Sequence, residues 1–257
     1  MKVSICLTYY NRKDLLHNTL KSIFKSKHIN DVEILIVDDA SDEANRIEDL
    51  ISHYSEYNIK LFRFEPNEKW WKLQIPPHNK LISMAQGDYV IQQGSECFHR
   101  DDIIDDVINN IEENMYRVYG CYALNENDTK KLINNFNNNQ DFEPTINNSN
   151  LNIFSEGGWY QHSVYNNRQL NFCTAILRKN LLELGGFDER FSNGRAWGDN
   201  EFITRIRRKK MNIINVDNYI VYHQYHKPNL DNSYDPNQTL FNTIINEDII
   251  KVKNSFL

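Results

Sequence analysis

The apolar positions fall into short unbroken runs separated by stretches with a helical period. Residues 3–8 (VSICLT) form the kind of run that a strand buried on both faces requires. Leu15, Leu16, Leu20, Ile23 and Phe24 then recur at helical spacing across residues 14–26. Residues 33–37 (EILIV) predict a second buried strand. Residues 44–54 predict a helix with Ile47, Leu50 and Ile51 on one face, and residues 60–64 a third strand. Residues 80–85 read as the end of a helix and 88–91 as a fourth strand. A helix over 101–114 carries Ile103, Ile104, Val107, Ile108 and Ile111. Strand and helix alternate, which predicts an α/β fold: a mostly parallel sheet with helices on both faces.

The pattern changes after about residue 124. Nine of the residues from Asn134 to Asn152 are asparagine and few are apolar, so this stretch reads as a long surface loop or insertion. Further on, residues 172–177 predict a strand, 179–184 a short helix, 200–209 a helix, and 213–216 and 219–222 two strands.

Composition narrows the classes. With 257 residues, 40% hydrophobic and 25% charged, the chain suits one large soluble domain or two small ones. A formal net charge of −6 removes the electrostatic case for a nucleic-acid partner. No window approaches the roughly 18 to 20 apolar residues of a transmembrane segment. The chain opens directly on a strand-like run with no visible signal peptide, and a cytoplasmic location is expected. Cys6, Cys97, Cys121 and Cys173 are far apart and lack CxxC spacing. They read as buried thiols of a reducing compartment, not as a zinc site.

Ligands of open α/β sheets bind at the carboxyl ends of the strands. Those ends are Thr8-Tyr9-Tyr10-Asn11-Arg12, Asp38-Asp39-Ala40-Ser41-Asp42 and Gln92-Gln93-Gly94-Ser95-Glu96. Neither GxGxxG nor GxxxxGK[ST] occurs, which excludes a Rossmann dehydrogenase and a P-loop NTPase. An acidic, glycine-poor nucleotide site implies base recognition by a carboxylate and phosphate neutralisation by a divalent cation. The densest chemistry lies in Trp197-Gly198-Asp199-Asn200-Glu201-Phe202, just after Gly185-Gly186-Phe187-Asp188-Glu189-Arg190-Phe191. An acid at a helix start beside a large aromatic can take a proton from a ligand, or it can simply cap the helix. Trp159 and Tyr160 follow two glycines; they suit stacking on a sugar ring, or a place in the core. Trp70-Trp71 and Pro76-Pro77-His78-Asn79 precede the fourth strand.

Five segments in order, VSICLTYYNR, IVDDASD, GDYV, GGFDERF and WGDNEF, resemble the family 2 glycosyltransferases of GT-A fold over residues 1–227. The resemblance implies one domain, 1–257, with a nucleotide-sugar-binding half (1–124) and an acceptor and catalytic half (125–257). It implies a UDP-sugar donor, a glycan or other hydroxyl acceptor, and inversion at the anomeric carbon. It places Thr8, Tyr10, Arg12 and Ser95 beside the nucleotide, Asp39 on the uracil N3–H, and His78 and Asn79 near the diphosphate. Asp199 takes the position of the catalytic base. Trp159, Tyr160 and Trp197 would face the acceptor, and Glu201 would orient the helix or touch the acceptor. The family's DxD metal motif aligns with Gly94-Ser95-Glu96, so its first aspartate is missing. Glu96 is left as a ligand for Mn²⁺ or Mg²⁺, with His223 completing the shell and His226 as the alternative. A rival reading is a non-catalytic sugar-nucleotide or glycan-binding module of the same fold. A nucleotidyltransferase is a second rival, but its basic, glycine-rich phosphate loop has no counterpart in TYYNR.

Overall fold

A computed structural model describes residues 2–149, 156–227 and 235–257. The predicted runs form a parallel sheet of β1 (Val3–Tyr9), β2 (Val32–Asp38), β3 (Ile59–Arg63) and β4 (Tyr89–Gly94). β1 lies between β2 and β4, with Thr8 paired to both Val37 and Gly94. Every residue of β1 and β2 is buried, which is why their sequences run apolar instead of alternating.

The sheet continues beyond β4. β5 (Cys97–His99) follows the fourth strand end, and β6 (Met115–Ala123) is added later in the chain. β7 (Gly158–Gln161), β8 (Cys173–Leu177) and β9 (Asn212–His223) complete it. The strand order is β3-β2-β1-β4-β8-β6-β9-β5, with β7 paired to β6. β8 runs antiparallel to β4 and to β6, whereas β9 runs parallel to β6. The two halves read from the sequence therefore share one sheet.

Helices cover both faces. α1 (Lys13–Ile23) and α4 (Ile103–Asn110) pack on one side, through Leu16, Leu20, Ile103 and Val107. α3 (Ile75–Met84), α6 (Arg178–Leu184) and α7 (Gly198–Arg208) pack on the other, through Leu81, Leu181, Phe202 and Ile206. The remaining helices are α2 (Glu48–Ser52), α5 (Glu126–Asn137) and α8 (Pro236–Ile244).

Several elements differ from the sequence reading. The helix expected over 44–54 is split into a 3₁₀ turn, Glu43–Asn45, and α2. Asp42 caps the turn through its side chain, and Arg46 adopts an extended conformation that ends it. α3 starts at Ile75, earlier than its periodicity suggests, with two prolines in its first turn, where no N–H partner is lost. β6 has no counterpart in the reading. It is buried except at its first residue, and Arg117 and Gly120 interrupt its apolar pattern. Arg117 is tolerated there because Asp106 pairs with it. The asparagine-rich stretch starts inside α5, which Asn125 caps, and is loop from residue 138. Its last residues, 150–152, lie outside the described ones. The two expected strands 213–216 and 219–222 are one strand, β9, with a register break after Val216.

Candidate active site

The site is built at the strand ends. Asp38 and Asp39 follow one another, both buried, and their partners split their roles. Asp38 accepts the backbone N–H of Ser41 at 2.8 Å and pairs with Arg63 at 2.5 Å, so it holds the turn. Asp39 is 1% exposed. Its Oδ1 accepts the Trp71 indole N–H at 2.7 Å; its Oδ2 accepts Lys69 Nζ at 2.9 Å and Gln74 Nε2 at 3.1 Å. Lys69 also stands 4.1 Å over the ring of Tyr10, which is exposed. Asn11 joins the strand ends: its N–H donates to Ser41 Oγ and its side-chain oxygen accepts from Asp42 N. Lys69, Trp71 and Gln74 surround the expected base-binding carboxylate, yet only Trp71 drew notice in the sequence. Their bonds to Asp39 span 30 to 35 residues, and no local pattern announces them.

The third strand end carries a charge cluster. Glu96 follows β4, and His223 ends β9. Cys97 pairs with His223 across the β5–β9 ladder, and Gln224 N donates to Glu96 O at 3.1 Å. Strand pairing thus fixes the distance between the two residues. Glu96 Oε1 lies 3.4 Å from His223 Nε2, 3.9 Å from His226 Nε2 and 3.1 Å from Arg12 Nη1. Ser95 Oγ donates to the other carboxylate oxygen at 3.2 Å. Burial alone would raise the Glu96 pKa. The hydrogen bond from His223 and the charge of Arg12 outweigh it and hold the carboxyl well below its usual range. Burial, then Arg12, lowers the pKa of His226, which keeps that imidazole neutral and able to ligate. One ligand atom each from Glu96, His223 and His226 lies within 4.8 Å of the others. A carboxylate with two imidazoles fits Mn²⁺ or a similar divalent ion. Both histidines join the cluster, so the choice between them does not arise. Tyr160 borders it, with its ring 4.9 Å from that of His223.

Asp199 lies in the first turn of α7 and is half-buried. It is not the helix cap. The capping position is Trp197, in a left-handed conformation at φ 73°, and no side chain caps there. Oδ1 of Asp199 instead accepts Asn171 Nδ2 at 2.9 Å. Burial raises the Asp199 pKa against the opposing pull of the Asn171 hydrogen bonds. A carboxylate raised in this way is a better proton acceptor than an exposed one. Trp197 is half-buried, packed on Phe241 at 5.1 Å.

Four of the expected contact residues make structural bonds or packing contacts. Asn79 is fully buried, and its amide accepts Phe187 N at 2.8 Å and donates to Phe187 O at 2.9 Å. It ties α3 to the Gly185-Gly186-Phe187 turn, whose two glycines have φ of 77° and 70°. His78 packs on Phe187 at 4.9 Å, and burial pushes its pKa down to about 4. A neutral, packed imidazole gives a diphosphate no charge. Glu201 is 4% exposed and forms a bidentate pair with Arg205, whose guanidinium also donates to the carbonyls of Leu184 and Gly186. Glu201 is thus engaged with Arg205, which corresponds to the helix-orienting one of its two expected roles. Trp159 is 5% exposed, donates to Asn148 Oδ1 and packs edge-on against Tyr122, which makes it core.

A family model described as glycosyl transferase family 2 matches residues 4–166. None of the curated proteins matches the chain. Among solved structures, the mannosyltransferase PcManGT from Pyrobaculum calidifontis in complex with GDP-Man and Mn²⁺ is 15% identical with a TM-score of 0.55, over 89% of this chain and 58% of that one. S. aureus TarS 1–349 in complex with UDP-GlcNAc is 14% identical with a TM-score of 0.62, over 100% of this chain and 68% of that one. GalNAc-T7 with UDP, GalNAc and Mn²⁺ is 15% identical with a TM-score of 0.61, over 95% of this chain and 47% of that one. The chain thus spans about half the length of the first and third of these proteins. The shared feature at these identities is the GT-A fold. Among the described residues no helix is long and apolar enough to cross a membrane.

Proposed function

From the premise that the chain belongs to glycosyl transferase family 2, we propose that it moves a sugar from a UDP-sugar to an acceptor hydroxyl with inversion. Asp199 serves as the base, and Glu96, His223 and His226 would hold a divalent cation. The observation that carries this reading is the cluster of one carboxylate and two imidazoles at the end of the parallel strands. Such an ion would supply Lewis-acid neutralisation of the diphosphate leaving group.

The chain's own residues account for the rest. The acceptor hydroxyl gives its proton to Asp199 as its oxygen bonds to the anomeric carbon. The bond from that carbon to the phosphate oxygen breaks, and its electron pair leaves with UDP. Arg12, already at the cluster, adds positive charge where the diphosphate gathers negative charge. Thr8 and Ser95 line the same strand ends, and Tyr10 offers an exposed ring for the nucleoside. Asp39 supports uracil as the base: a carboxylate accepts an imide N–H, and the donors Lys69 and Gln74 beside it suit the carbonyls that flank that N–H. Entry of a base requires Lys69 to shift from Asp39, since the carboxylate is otherwise enclosed.

A panel of nucleotide-sugars, read by release of the nucleoside diphosphate with Mn²⁺ and with EDTA, tests the reading. UDP release with an acceptor present, lost in EDTA, is the expected result. Equal release in EDTA would remove the metal from it. Binding of UDP-sugar without any transfer would favour the glycan-binding module.

A further inference from the structure

Asn171 precedes β8 and was not a candidate in the sequence. Its amide faces two ways. Nδ2 donates to Asp199 Oδ1 at 2.9 Å, while Oδ1 accepts the hydroxyls of Tyr116 at 2.9 Å and Thr174 at 3.2 Å. The orientation is forced. A carboxylate can only accept, so the NH₂ side must face Asp199 and the oxygen must face the two hydroxyls. Those hydroxyls cannot follow a displaced amide. Tyr116 is 1% exposed on β6, with its ring edge-on to Phe202; Thr174 is 0% exposed on β8. The two strands are paired, Tyr116 with Ile176 and Val118 with Thr174. Two fixed hydroxyls on the sheet therefore aim one amide at a carboxylate that belongs to a helix.

We propose that Asn171 is the positioning residue of the base. Its amide holds Oδ1 of Asp199 and leaves the other carboxylate oxygen for the acceptor hydroxyl, and Tyr116 and Thr174 lock the amide in that pose. The proposal rests on Asp199 being the base. Tyr116 is the titratable group that faces Asp199 from the sheet. From the remaining neighbours of this helix start, Leu73 and Ile75 approach Gly198 and Phe241 packs on Trp197, all apolar. Beside burial, the groups that set the charge state of Asp199 are the side chain and the backbone of Asn171. The lock also serves the chemistry. The amide stabilises the charged carboxylate without a counter-ion, so Asp199 stays ionised yet basic.

The test is the pH profile of transfer, measured on the full chain with Asn171→Ala, Asn171→Asp and Tyr116→Phe. Asn171→Ala should lower kcat on the order of 10- to 100-fold, the cost of a base held loosely, with the donor KM unchanged. Its acid limb should move to higher pH, because the charged carboxylate loses a hydrogen bond. Asn171→Asp should move the limb further, through like-charge repulsion. Tyr116→Phe is nearly isosteric and should give a smaller shift in the same direction. It keeps the proposal testable if Asn171→Ala does not fold. An unmoved acid limb in Asn171→Ala and Tyr116→Phe, with activity following the folded fraction, would overturn the positioning role while the base reading stands. Full turnover by Asp199→Asn would overturn both.

Discussion

Glu96 and Asp199 are two carboxylates enclosed by the same fold and set to opposite ends of their range. Glu96 sits among Arg12, His223 and His226, and its proton is lost far below neutrality. Asp199 sits beside the Asn171 amide, itself held by two buried hydroxyls, with no cation against it among the described residues, and burial raises its pKa. Burial is common to both, so it does not decide the role. The neighbours do: the Arg12 charge and the His223 hydrogen bond make Glu96 a permanent anion, and neutral donors leave Asp199 an anion able to accept a proton.

The sharpest way to break this comparison is Asp199→Asn. Turnover should fall by roughly 10² to 10⁴ with UDP affinity unchanged by calorimetry. Near-parental turnover would leave Asp199 without a chemical role. Glu201→Ala, two residues along the same helix, sharpens the contrast from the other side. It strands Arg205 in the core, so the melting curve should show a loss of about 3–5 kcal/mol, while transfer by the folded fraction stays near parental. A selective loss of transfer at normal stability would instead place Glu201 at the acceptor. Glu96→Gln should weaken Mn²⁺ binding more than about 10-fold, read by paramagnetic resonance without donor. Unchanged Mn²⁺ affinity would mean that the cluster serves the diphosphate directly.

Asp39→Ala has two parts. It should weaken UDP binding, and by orphaning the Trp71 indole it should also cost roughly 1–3 kcal/mol of stability. Unaltered UDP affinity in the folded protein would remove the uracil contact. The smallest effect concerns pH and stability. Because the folded pKa of Asp199 is raised, its ionised form costs stability at neutral pH, and that cost vanishes as pH falls through the raised value toward 3.8. Asp199→Asn should therefore melt above the parent at pH 7, with the gap closing near pH 4. A gap that is constant across this range would contradict the raised value.

Much of this was legible in the chain. Runs such as residues 3–8 and 33–37 mark buried strands because no other element hides so many consecutive apolar residues. Their polar ends hold Glu96 and Asp39, and a helix start holds Asp199; the roles proposed for them come from the resemblance. The illegible parts are those decided by distant partners. Asn79 and Glu201 resemble ligand contacts in sequence, but each bonds buried groups that folding brings near. Asn171 acquires its meaning from Asp199, 28 residues away. β6 escaped notice because Arg117 and Gly120 break its pattern, and their reasons, Asp106 and the nearby Ile220, lie elsewhere in the chain.

The register break in β9 bears on how the chain can change in length. Tyr119 pairs with Val216 and its neighbour Gly120 with Ile220, so residues 217–219 stand outside the ladder. After them Ile220 to His223 run in step with β6, and Val221 to His223 also with β5. The break uncouples the two parts of the strand. An insertion among residues 217–219 can be absorbed there, with every later residue keeping its partner. One extra residue between Ile220 and His223 would turn the imidazole to the opposite face of the sheet. Homologous chains should thus vary in length at 217–219 and hold it constant over the next four positions, a boundary set by backbone pairing and independent of any ligand.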